Sequence, residues 1–95
     1  LTIGYGNESQ SEFNGLMSNF RWSDTVVYDT SGFTVPTTPL TDLPETVLLI
    51  LQGTNLNSQL LDNSGNNNNA TNAGATYSAL SPFVGIEGSL LVGQV

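Results

Sequence analysis

The chain has no cysteine, no histidine and no lysine, and its single cation is Arg21. Each absence removes a class of function. Without cysteine, no disulfide or thiolate–metal framework can staple the fold. Without histidine, the commonest general base and the commonest transition-metal ligand are missing, and no serine can be activated by a Ser–His pair within the chain. One cation against eight acids gives a net charge of −7. Nucleic-acid binding needs cations to neutralise phosphate, so no nucleic-acid partner is expected. An anionic membrane surface is ruled against on the same ground. No apolar run approaches the ~20 residues of a transmembrane helix, so no membrane partner is expected either.

Charged residues are 9% of the chain, far below the roughly 25% usual for soluble domains. Serine, threonine and asparagine take their place and give a neutral, hydrogen-bonding surface. That composition suits extracellular or particle-surface β proteins. The apolar share, 38%, supports a modest core in one small domain or part of a larger one. Its bounded apolar runs argue against disorder. The chain opens on Leu1 without a signal-type charged segment, and we expect a fragment of a longer polypeptide or its ordered part.

The richest stretch is 13–49, which holds the only Trp, the only Met, the only cation and three prolines. Residues 1–5 alternate with period two and predict a strand. Residues 6–12 form a polar loop with Glu8, Glu12 and an Asn7–Ser9 sequon. Residues 13–22 predict a second strand, antiparallel to the first, with bulk on both faces. Val26, Val27 and Tyr28 form a short apolar anchor between turns. Prolines 36, 39 and 44 exclude an internal strand or a helix, so 34–44 should cross the surface extended, with Val35, Leu40 and Leu43 inward. The apolar run 46–52 predicts a strand buried on both faces, with a helix of about two turns over 44–52, stopped by Gly53, as the alternative. Residues 55–62 read as a short strand into a turn, 62–69 as an Asn/Gly turn region, 70–77 as two half-strands and 88–92 as a last strand. No long helical period occurs.

Several pieces occur in a characteristic series. They are F-x-G at Phe13 and Gly15, N-F-R at Asn19 to Arg21, V-Y at Val27 and Tyr28, and F-T-x-P-T-x-P-L-T at Phe33 to Thr41. T-x-L-L at Thr46 to Leu49, D-N-S at Asp62 to Ser64 and S-P-F at Ser81 to Phe83 follow. The series resembles the laminin G-like, concanavalin A-like jelly-roll repeats of structural proteins in tailed phages, particularly marine ones. The resemblance implies an all-β antiparallel sandwich, here a partial one completed by neighbouring sequence or chains. It implies that 1–52 are closing strands and crossover of one unit, and that 53–95 connect to and open the next. Ser18 departs from the family, where relatives often carry Asp, and the long middle of a complete sandwich is missing.

Candidate sites are few. Arg21 sits between Phe20 and Trp22, and we expect a structural clamp in which Asp29 and Glu45 hold its guanidinium. Recognition of an acidic sugar by Arg21 is the rival reading. Trp22 and Tyr28 could stack on a glycan; aromatic core packing is the alternative. The oxygen-rich stretch from Asp62 to Asn66 could hold a structural Ca²⁺, or form an Asx-type turn. Glu8, Glu12 and Asp24 could supply a glycosidase acid pair, but nothing in the sequence raises the pKa of one of them. No catalytic residue and no cofactor are expected.

The functional expectation is a non-enzymatic virion structural module in a tail fibre, appendage or capsid-decorating protein. It would sit at the virion surface or outside the cell, with other copies or other virion proteins as partners. The alternatives are a carbohydrate-binding adhesin module on a phage or cell surface, which takes a cell-surface glycan, and an accessory domain of a secreted glycosidase.

Overall fold

A computed structural model of the protein describes residues 2–4 and 13–93. The described part is all-β and antiparallel, apart from one helical turn. The expected strand over 1–5, its hairpin and the loop with Glu8, Glu12 and the sequon lie wholly or largely outside the described residues. What is described there is a bond from Phe13 N–H to the Gly4 carbonyl, 2.7 Å.

The expected strand over 13–22 is two strands, β1 (Gly15–Met17) and β2 (Phe20–Ser23), in different sheets. The corner between them is Asn19, in the left-handed region at φ 54°. Asparagine tolerates that conformation better than most residues. The run expected to be buried on both faces is β3 (Thr46–Ile50), with Leu48, Leu49 and Ile50 buried. It pairs with β2, Phe20 opposite Ile50 and Trp22 opposite Leu48, with an irregularity before Ser23. Prediction of a strand over 55–62 is overturned: Leu56–Gln59 is a helical turn, α1. Asn55 caps it, accepting from Ser58 N–H while Ser58 Oγ accepts from the Asn55 N–H. That local capping box satisfies backbone groups that a lone strand would leave open.

The other sheet contains β1, β4 (Thr76–Ser78) and β5 (Ser89–Val92), with β5 central. Met17 and Tyr77 flank Leu90 from either side. The two sheets share one core: Leu48, Ile50, Leu51 and Leu90, with Met17, Phe20, Leu56, Leu60 and Val92 against it. Each fully buried side chain of this size contributes about 1.5–3 kcal/mol.

Chain geometry at the end of β3 is tight. Leu51 is buried at φ 66°, a conformation that costs a non-glycine residue about 1–2 kcal/mol. Asn19 N–H donates to its carbonyl and its own N–H donates to the Gln59 carbonyl. Gly53 follows, packed so closely on Ser58 and Gln59 that a Cβ would overlap their backbone. The crossover 34–44 contains no regular element. Leu40 and Leu43 are part-buried, but Val35 is 73% exposed rather than turned inward.

Candidate functional site

Three polar centres organise the surface of this core. The first is the Asn19 corner. Its Oδ1 accepts from Leu40 N–H at 2.8 Å and from Gln52 Nε2 at 2.8 Å, and its Nδ2 donates to Glu87 Oε1. Gln52 also donates to the Leu40 carbonyl and accepts from Asn63 Nδ2. One asparagine therefore ties the inter-sheet corner to the crossover, the end of β3 and the segment before β5. Burial pushes the Glu87 carboxyl above its ordinary value, and the Asn19 amide offsets this only in part.

The second centre is Asp62. Its Oδ1 accepts from Leu49 N–H (2.9 Å) and Ser64 N–H (3.0 Å), and its Oδ2 accepts from Asn68 N–H (3.0 Å) and Ser64 Oγ (2.8 Å). Burial raises its pKa, but these donors outweigh burial and hold the carboxyl below the ordinary range. The Asn-rich loop does for β3 what a further strand would do. Asn63 N–H donates to the Leu49 carbonyl, while Ser64 Oγ, Asn66 Nδ2 and Asn68 Nδ2 converge on the Val47 carbonyl. Side-chain amides thus satisfy an edge that would otherwise expose open backbone groups. Both Asp62 oxygens face donors, so the Asx-type turn describes this stretch and a Ca²⁺ shell does not. Among the described residues, no group of three or more acidic side chains comes together to hold a metal.

The third centre is Arg21. Its Nη1 donates to the Thr41 carbonyl at 3.0 Å and its Nη2 to the Tyr28 hydroxyl at 3.1 Å. The guanidinium does reach the crossover, but the expected carboxylate partners give way to a carbonyl and a phenol. Asp29 is turned onto Ser31, accepting from its N–H and hydroxyl, and those bonds lower its pKa, the hydroxyl most. Glu45 meets β2 through its backbone, its carbonyl accepting from Asp24 N–H. Local turn bonding reaches Asp29 first, because Ser31 is two residues away.

Two clefts border β2. One of about 1000 Å³ opens between the sheets, floored by Leu48, Ile50, Leu51 and Leu90, with Trp22 on its wall. Its polar lining is largely spent. Asn72 exchanges both bonds with Ala75, Asn68 Nδ2 is on Val47, and Asn69 bonds Asp62 N–H and Asn67. The other, about 490 Å³, lies along β2 and is lined by Arg21, Ser23, Thr25 and Tyr28 among others. Tyr28 stacks on Phe33, centroids 4.4 Å apart. Trp22 and Tyr28 are 49% and 45% exposed, so neither is a core aromatic, and they border different clefts and do not form one platform.

Asn19, Gln52, Glu87 and Gln59 were not singled out by sequence reasoning. Gln59 is fully buried, its Nε2 on the Gly53 carbonyl and its Oε1 without a partner among the described residues. Only the N-F-R piece of the phage-type series touches Asn19; no sequence signal marks the other three. No known protein family, curated protein or solved structure matches the chain.

Proposed function

We propose that the chain is a non-catalytic structural module of jelly-roll type that works inside a larger assembly, of the kind that builds tail fibres, appendages or decorating proteins of virions. The observation that carries this reading is a core left open among the described residues. Two small sheets of three and two short strands meet over a cleft of about 1000 Å³ that reaches the buried leucines and Ile50. An adjoining repeat or another copy would cover that apolar floor and gain the burial free energy. The virion assignment rests on the series of phage-type motifs between Phe13 and Phe83, and the surface location follows from it. Sedimentation and light scattering of the purified chain test the reading. Self-association, or folding that depends on adjoining sequence, is expected; a stable, monodisperse monomer refutes it.

A second reading, glycan recognition by an adhesin module, is favoured by the half-exposed Trp22 and Tyr28. A glycan array separates the two. Binding that is lost in folded Trp22→Ala or Tyr28→Ala protein supports the adhesin.

A further inference from the structure

We propose that the cleft between β2 and Tyr28 is a binding site for a carboxylated sugar, with Arg21 and the Tyr28 hydroxyl as the carboxylate-binding pair. This rests on the second reading above and narrows it to one ligand class and one of the two clefts.

The first argument is charge. Arg21 is the sole cation of a chain of net charge −7. Yet its described partners are two neutral oxygens, on Thr41 and Tyr28. The acids nearest in sequence are engaged elsewhere or meet β2 only through the backbone: Asp29 bonds Ser31, and the Asp24 N–H bonds the Glu45 carbonyl. A guanidinium has five N–H donors in a fixed fork, so donors remain after the bonds to Thr41 and Tyr28. A carboxylate matches that fork better than any neutral group.

The second argument is the phenol. Tyr28 Oη accepts from Arg21 Nη2, and among the described residues no acceptor takes its hydroxyl hydrogen, which can therefore donate to a ligand. Guanidinium and phenol then present donors side by side, both fixed, since Thr41 holds the far side of the fork. Preorganised donors lose little freedom on binding.

The third argument is shape. The cleft of about 490 Å³ is a shallow groove, largely open to solvent, so it suits a small sugar lying along it rather than an enclosed ligand. Ser23 and Thr25 line it with hydroxyl-bearing side chains, and Val26 and Val27 add apolar wall. Tyr28, which lines the cleft and bonds the cation, stacks on Phe33, which is 60% accessible and lies outside the lining. An aromatic face, hydroxyls and a cation together suit a sugar acid better than a bare anion, since the C–H face of the ring packs on the aromatic. The long-range field of a −7 chain opposes any anion, but at physiological salt it is screened beyond about 8 Å.

The test is a titration of the intact chain at physiological salt, followed by calorimetry and ligand-observed NMR. The probes are glucuronic acid and N-acetylneuraminic acid, with the methyl ester of glucuronic acid, glucose and acetate as controls. Both acids are expected to bind at least about 10-fold more tightly than ester, glucose or acetate, a difference of about 1.4 kcal/mol. Arg21→Ala is expected to lose the acids about 10-fold, Arg21→Lys to recover little of that, and Phe33→Ala to weaken the sugar acids but not acetate. Circular dichroism confirms that each variant is folded; should Arg21→Ala unfold, Tyr28→Phe, which deletes only the hydroxyl, is expected to weaken the acids. No binding of either acid, equal binding of the ester or of acetate, or acid binding that survives Arg21→Ala or Tyr28→Phe would overturn the site. Neutral-glycan binding on an array that disappears in Trp22→Ala but not in Arg21→Ala also overturns it, while leaving the broader glycan reading intact. No binding on the array at all defeats both.

Discussion

Asp62 should be the most stabilising acid in the chain, and Asp62→Ala the most informative substitution. The carboxylate accepts four bonds, and they are unequal. Leu49 is 2% exposed, so its N–H, robbed of Oδ1, becomes a buried unsatisfied donor at about 1–3 kcal/mol. The Ser64 and Asn68 groups lie in a loop that water reaches and should each add about 0.5 kcal/mol, the low end for a net hydrogen bond. With three such bonds the total is about 2.5–4.5 kcal/mol, a large part of the roughly 5–15 kcal/mol that holds a small domain folded. The melting temperature should fall by about 10–20 °C. Asp62→Asn keeps one acceptor but sets an NH₂ against donors, and should lose about half as much. Urea and thermal unfolding by circular dichroism measure both. Because the folded-state pKa of Asp62 is lowered, its contribution is present above the ordinary carboxylate range and lost as pH falls through the lowered value. Between about pH 5 and pH 2, wild type should therefore lose more stability than Asp62→Ala. A loss below about 0.5 kcal/mol at neutral pH in Asp62→Ala would refute the view that this carboxylate closes the edge of β3.

Glu87 should behave with the opposite sign: its folded pKa is raised, so its contribution is present at low pH and lost as pH rises through that value. Glu87→Gln, which can still accept from Asn19, should match or exceed wild-type stability at pH 7, by up to about 1 kcal/mol, and flatten the urea midpoint between pH 4 and 7; a clear loss at pH 7 would count against the burial argument. At the corner, Asn19→Gly keeps the left-handed backbone and loses the side-chain bonds, whereas Asn19→Ala loses both. Ala should be the worse by about 1 kcal/mol in chemical denaturation, and equal effects would show that the backbone conformation contributes nothing.

The sequence by itself determined the elements whose physics is local. Apolar β-branched density over 46–52 made a strand covered on both faces wherever it lay, and β3 is that strand. Prolines at 36, 39 and 44 removed donors and fixed φ, so the crossover could not be regular. The Asx turn at Asp62 depended on neighbours two to six residues away, and its polar alternative to metal binding was already legible. Composition alone set the net charge. What depended on distant partners was not legible. A pattern of alternating bulk over 13–22 is the same whether the strand runs straight or turns at Asn19, because the bonds that fix the corner come from Leu40, Leu51, Gln52 and Glu87. The partners of Arg21 were misjudged for a related reason: sequence shows which acids exist, but Ser31 had already claimed Asp29, and only the path of the crossover brought the Thr41 carbonyl within reach. The Asn-rich stretch read as a turn, which it is; that it also serves as the missing edge of β3 followed from where the fold laid it down, with its hydroxyl and amides 17 to 21 residues from the strand carbonyls they satisfy.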